Sequence, residues 1–332
     1  MRTLHPMLFA VLLLPHLSVA QGVPPGARPL HTYSLVARDT VTGEMGVAVQ
    51  SHWFSVGTLV TWAEAGVGAV ATQSFVDPAY GPLGLELMRA GKTAPQALEG
   101  LLASDPGRDV RQVAMIDAAG NVAAHTGKRC IQGAGHIAGK NYSVQANLML
   151  NEKVWGAMAE AYERSAGDLA ERMLAALDAA QVVGGDIRGK QSAALLIVRA
   201  RSTGRPWADK VMDLRVEDHP EPLQELRRLM KVHRAYDHMN RGDLAVEHND
   251  VATALREYGA AEKMLPENLE MKFWHAVALV NVGKVQESLS LFQAVFAEDR
   301  NWATLVPRLP ASGTLLADEK DIQTILSVAP AK

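Results

Sequence analysis

Cysteine is nearly absent: Cys130 is the only one in 332 residues. No intrachain disulfide can form, so the domains must be held by their apolar cores alone. A lone thiol in "GKRCIQG", with no base fixed beside it, reads as a small half-buried residue rather than a nucleophile. An excess of charge is absent too. The 33 Lys and Arg nearly balance the 36 Asp and Glu, and a formal charge of −3 calls for neither nucleic acid nor an anionic lipid surface as partner. The eleven histidines are scattered, and His233, His238 and His248 lack the i,i+4 spacing that presents two ligands on one helix face. There is no His-Glu-x-x-His, no cysteine pair and no phosphate-loop spacing, so neither a metal nor a cofactor is expected.

Beyond the first twenty residues no apolar run approaches the ~20 residues of a membrane span. Within them, Arg2, the run "MLFAVLLLPHLSVA" and the small residues Ser18, Val19 and Ala20 form a signal-peptide pattern. The expectation is an exported chain, periplasmic or secreted, with an N-terminal anchor helix as the alternative. Residues 21–31, "QGVPPGARPLH", hold three prolines and two glycines and read as a flexible lead-in or propeptide without regular structure.

From Thr32 the pattern turns to strands. "TYSLVARD", "MGVAVQS", "GTLVTWAE" and "VGAVATQS" are short β-branched segments separated by turn signals, which implies antiparallel hairpins. Helices are expected over "DPAYGPLGLELMRAGKTAPQALEGLLASDPG", with Thr93 and Pro95 opening the second. A hairpin follows in "RQVAMIDAAGNVAAHTG", then the strand "YSVQANLML". Residues 152–183 read as one or two helices, with Asp168 as an N-cap and Gly184-Gly185 as the stop. "QSAALLIVRA" and "KVMDLRVED" close the domain as strands. Runs of strands alternating with runs of helices indicate α+β. Strands apolar on both alternations need cover on both faces, which a four-layer αββα sandwich supplies.

The expected organisation is a signal peptide (1–20), a lead-in (21–31), the αββα domain (32–216), a linker (217–224) and an all-α region (225–332). The spacings Gly242, Ala254, Tyr258, Ala261, Pro266 and Gly283, Ser288, Phe292, Val295 resemble tetratricopeptide helix pairs. Such a tail is expected to dock on the first domain or on a protein partner, and self-association stays open.

"HTYSLVARD", "GEMGVAVQSHWFSVG", "WAEAGVGAVATQSFVDPAYGPLGL", "DVRQVAMIDAAGNVAAHTG" and "GGDIRGKQSAALLIV" together resemble the bacterial family catalogued as domain of unknown function 1028. That family is grouped with the N-terminal-nucleophile (Ntn) hydrolases. The resemblance covers roughly residues 31–216 and implies an Ntn-type αββα fold; it implies no substrate, and hydrolysis of an amide or short peptide is the leading expectation for such a nucleophile. Relatives without a leader begin Met-Thr-x-Ser, and Thr32-Tyr33-Ser34 stands at the matching positions.

A threonine hydroxyl is a weak nucleophile unless a base is adjacent, and its own α-amine can serve once the preceding bond is cut. Thr32 is therefore the candidate nucleophile, or else a plain β-branched strand residue, with Ser34 second. A cut at His31–Thr32 is required. His52 is a possible base or a structural histidine, and Asn147 an oxyanion donor or a backbone partner. The turn "GGDIRGKQSA" offers Asp186, Arg188, Gln191 and Ser192 for substrate binding, or is a solvated helix end. His125 is a further substrate-side candidate, and Asp77 equally a helix-entry cap. The alternative function is a non-catalytic binding protein that uses its helical tail to dock a protein or a cell-wall component.

Overall fold

The computed structural model describes residues 29–330; the expected signal peptide and most of the lead-in lie outside them. The elements run β1 (Pro29–Leu30), β2 (Thr32–Arg38), β3 (Met45–Ser51), α1 (Gly57–Val60), β4 (Thr61–Glu64), β5 (Gly68–Phe75), α2 (Tyr80–Arg89) and α3 (Ala94–Ser104). Next come β6 (Arg111–Asp117), β7 (Val122–Thr126), β8 (Gly135–Gly139), β9 (Tyr142–Ala146), α4 (Val154–Arg164), α5 (Leu169–Val182), β10 (Ser192–Val198) and β11 (Lys210–Val216). The helical region holds α6 (Pro222–Glu247), α7 (Val251–Met264), α8 (Leu269–Asn281), α9 (Val285–Glu298), α10 (Asn301–Leu305) and α11 (Glu319–Leu326).

The strands form two antiparallel sheets. One has the order β1-β5-β6-β7, with β4 also on β5; the other runs β11-β10-β3-β2-β9-β8. β2, β3, β5, β6 and β10 are almost wholly buried because each sheet has one face on the other and one face under helices. The layer between the sheets is built from Val36, Val47, Val49, Ala69, Ala71 and Ala114 among others. Helices α2 and α3 cover the first sheet through Tyr80, Leu85 and Leu98. α4 and α5 cover the second through Met158, Met173 and Leu177.

Local capping explains several boundaries. Thr93 closes a capping box with Gln96 at the start of α3, and Asp168 accepts from the Glu171 amide at the start of α5. Three expectations need correction. "GTLV" is one helical turn, not strand: Gly57 lies so close to β10 that a Cβ there would stand 2.6 Å from Ala194 Cβ. Pro29–Leu30 of the lead-in is a strand, because Pro at a strand's first residue donates nothing and the edge of β5 beyond β4 offers a partner. Pro222, inside the expected linker, takes the first position of α6, where its missing N–H costs nothing.

α6 docks on the first domain, where Leu223, Leu226 and Met230 join its core and Arg234 bridges Asp168 and Glu171. α6 packs on α7 with Tyr258 filling the space over Gly242, and α8 packs on α9 through Phe273 and Phe292. The structure is thus mixed α/β with two antiparallel sheets and a C-terminal helical region.

Candidate functional site

The His31–Thr32 peptide lies where the chain passes from one sheet to the other. Leu30 pairs with Ser74 of β5, while Thr32 pairs with Ser51 of β3. Two non-glycine residues flank this crossing in the left-handed region, Ser74 (φ 70°) and Leu148 (φ 57°). Each costs about 1–2 kcal/mol, strain that persists only where the surroundings enforce it.

Thr32 is wholly buried, and its hydroxyl folds back over His31 to donate to the Leu30 carbonyl at 3.3 Å. Its carbonyl accepts from the Asn147 amide at 3.1 Å, Gln73 Nε2 at 3.2 Å and Asn147 Nδ2 at 3.4 Å. The His31 carbonyl, one atom before the Thr32 nitrogen, accepts from Ser51 Oγ at 2.5 Å and Arg188 Nη2 at 2.8 Å. A hydroxyl and a guanidinium aimed at one carbonyl oxygen are the donors that a developing oxyanion needs.

Arg188 is held for this by Asp186. The carboxylate takes Nε at 3.1 Å and Nη2 at 2.7 Å, and also accepts from the backbone amides of Arg188 and His52. The buried carboxylate with its two-pronged guanidinium fixes the direction in which the remaining Arg188 hydrogens point. The turn back to β10 passes through Gly189 at φ +113°, a conformation that L side chains rarely adopt.

The His31 ring is held by Asn147, Nδ1 to Oδ1 2.9 Å, and meets Phe75 edge-on with centroids 6.2 Å apart. Burial pushes its pKa below the ordinary histidine value, opposed by the Asn147 hydrogen bond and reinforced by the Arg188 charge. Behind the site runs a buried amide network. Gln73 donates to Gln112 Oε1 at 2.7 Å and accepts from Ser34 Oγ at 2.6 Å, and Gln145 donates to Ser34 at 2.7 Å. Gln112 reaches Thr126 Oγ1 at 2.8 Å and the Ala146 carbonyl at 2.9 Å. The side-chain amides and hydroxyls of Ser34, Gln73, Gln112 and Gln145 are all bonded, so the network stiffens the crossing and ties the two sheets together. Beside it lies a cavity of about 730 Å³ lined by Thr126, Cys130, Gly133, Met149, Asn151 and Ile187.

Of the residues singled out from sequence, Thr32, Asn147, Asp186 and Arg188 meet at this peptide. Ser34 sits inside the amide network instead. The His52 backbone belongs to the site through Asp186, but its ring lies near the Gly189 turn, with Nδ1 3.7 Å from where a Cβ on Gly189 would be. Asp77 is a helix-entry residue, accepting from the Ala79 amide at 3.0 Å. His125 is turned to the Arg108 carbonyl at 2.8 Å. Gln191 bonds Asp218, and Ser192 bonds the Trp53 carbonyl and the Val56 amide. Ser51, Gln73 and Gln112 were not singled out, although a glutamine in each of the apolar strands "MGVAVQS", "VATQS", "RQVAM" and "SVQAN" was the available signal. Among the described residues no group of three His, Cys, Asp or Glu is arranged to hold a metal ion. No helix among them is long and apolar enough to cross a membrane.

A solved structure, the crystal structure of protein SPO2555 from Silicibacter pomeroyi, is 31% identical and superposes with a TM-score of 0.55, covering 60% of this chain and 85% of that one. It is itself assigned to the DUF1028 family. Anbu (ancestral beta-subunit) from Yersinia bercovieri is 14% identical with a TM-score of 0.31 over 59% of this chain and 92% of that one, a superposition too loose to carry an argument. No curated protein matches. The family described only as "Family of unknown function (DUF1028)" matches residues 32–226, more than half of the sequence, and this chain belongs to it.

Proposed function

We propose that the chain is the uncut precursor of an exported Ntn-type hydrolase of amide or peptide bonds, with Thr32 as nucleophile in a four-layer αββα domain. The observation that carries this is the grip of Ser51 Oγ and Arg188 on the His31 carbonyl, immediately before a threonine whose hydroxyl already lies over that residue. In the self-cut, Thr32 Oγ1 bonds to the His31 carbonyl carbon, the oxyanion rests on Ser51 and Arg188, and the His31–Thr32 C–N bond breaks. The hydroxyl proton passes to the departing nitrogen, which becomes the Thr32 α-amine. Water then hydrolyses the ester, leaving a His31 carboxylate and a free Thr32 hydroxyl. In the matured chain the α-amine, with an ordinary pKa of about 7.7–8.0, is the base, so activity rises with pH through its deprotonation. The family match beginning at Thr32 is in keeping with this. The export rests on the first twenty residues of sequence alone.

The test is intact mass and N-terminal sequencing of wild type and Thr32→Ala. Wild type beginning at Thr32, with the variant folded but uncut, is expected. A wild-type chain that keeps its leader in its working compartment sinks the mechanism.

One observation favours a second reading, a binding protein that is never cut: Leu30, His31 and Thr32 are all buried, so the uncut chain has no open nucleophile. Its binding surface would be the cavity of about 690 Å³ in the helical region, lined by Tyr236, Asp243, Glu247, Tyr258, Glu270 and Trp274. The same mass measurement separates the two.

A further inference from the structure

The segment 29–31 is bound as a substrate would be bound. Its backbone runs antiparallel along the free stretch of β5, Pro29 opposite Phe75 and Leu30 opposite Ser74. The Leu30 side chain is wholly buried in the apolar layer between the sheets, with Val49, Val56 and Ala71 in the same cluster. The His31 ring has its own partners, Asn147 at one nitrogen and Phe75 at its edge. The His31 carbonyl has the two donors already described. An extended backbone, an apolar socket, a hydrogen-bonding socket for a neutral ring and a polarised carbonyl make up the acyl side of a peptide site.

We infer, resting on the hydrolase reading above, that the matured chain cleaves extended peptides after an apolar residue followed by histidine or another neutral side chain with one hydrogen-bond donor. The reason is a chemical identity. The ester formed in the self-cut joins Thr32 Oγ1 to the carbonyl carbon of a …Leu-His acyl group. A peptide …Leu-His-NH-R attacked by the matured enzyme forms the same ester: the Oγ1–C bond forms, the C–N bond breaks, and the amine leaves with the proton held by the α-amine. Water then returns the Leu-His carboxylate and the free hydroxyl. One acyl-enzyme has one set of subsites, so the leader's pose describes both. Departure of the leader also opens a leucine-sized socket between the sheets, which an apolar side chain refills.

The test uses residues 32–332 with Thr32 proven to be the N-terminus, obtained by self-cutting or behind a tag whose removal leaves nothing before it. The two-residue strand is all that the described structure loses besides His31, and both sheets remain. The probes are fluorogenic amides of acetyl-Arg-Pro-Leu-His, acetyl-Arg-Pro-Gly-His, acetyl-Arg-Pro-Leu-Ala and acetyl-Arg-Pro-Leu-Asp, together with a panel of simple acyl amides. The Leu-His amide is expected to have the highest kcat/KM, with the Gly-His amide down at least about tenfold, as loss of several buried methylenes implies. The free acid acetyl-Arg-Pro-Leu-His should inhibit competitively. Turnover of the panel without preference for Leu-His overturns this inference and leaves the hydrolase standing. No turnover of any amide by a chain that does begin at Thr32 overturns the hydrolase, and the specificity with it.

Discussion

Replacing Ser51 by alanine removes one oxygen from the grip on the His31 carbonyl. Ser51 Oγ is buried, and the one hydrogen bond described for it is that 2.5 Å donation. The carbonyl keeps its Arg188 bond at 2.8 Å, so no buried acceptor is orphaned. The cost to folding is then that of one ordinary net hydrogen bond, about 0.5–1.5 kcal/mol. The cost to the self-cut is much larger. The oxyanion gains full charge only in the transition state, and losing one preorganised donor slows such steps by about 10²–10³, or about 2.7–4 kcal/mol. Ser192, paired across β3 with Ser51 but bonded to Trp53 and Val56, is the matched control. The assay is a time course of intact mass from freshly purified precursor, beside urea denaturation of the same samples. Ser51→Ala should cut hundreds of times more slowly at a small stability loss, while Ser192→Ala loses stability and cuts normally. A Ser51→Ala precursor that matures at the wild-type rate refutes the oxyanion assignment.

Leu30→Ala should destabilise the uncut chain by about 2–5 kcal/mol, since the socket between the sheets is fully buried; the matured chain, having lost residue 30, should melt identically from either gene. Acid should loosen the uncut chain at His31. Its folded pKa is lowered by burial, so the unfolded chain takes the proton first as pH falls below about 6.5. Wild type should therefore lose more Tm than His31→Gln between pH 7.5 and 5, and equal losses would sink this. In the helical region, Gly242→Ala puts a Cβ 2.6 Å from the Tyr258 ring. Overpacking of about 1–3 kcal/mol should outweigh the ~1 kcal/mol that alanine gains in helix propensity. The penalty should vanish in a Tyr258→Ala background, as a double-mutant cycle by urea melts would read.

Much of the fold was legible because it is local. Thr93 with Gln96 and Asp168 with Glu171 announce helix starts within four residues, and the strands carry their own β-branched pattern. The segments misread or left unread are those whose conformation is imposed from elsewhere. Gly57, read as strand, is pressed against Ala194, far away in sequence, and Gly135–Gly139, for which no element was read, is an exposed, glycine-flanked edge strand with no apolar alternation, held by pairing to β9. The candidate site divides in the same way. Thr32 stands out through the family resemblance that begins there, and the glycine-rich turn with Arg188 through residue type and neighbours.

The sequence by itself determined which side chains are chemically capable and most of the segments that form strands and helices, since both follow from residue identity and short-range periodicity. Only the tertiary structure decided that Ser51 and Arg188 meet on the His31 carbonyl, that Gln73 and Asn147 hold the next one, and that Leu30 is packed between the sheets. Those meetings join residues up to 157 positions apart. They are set by strand register and by the crossing of one chain between two sheets, and no local pattern encodes either.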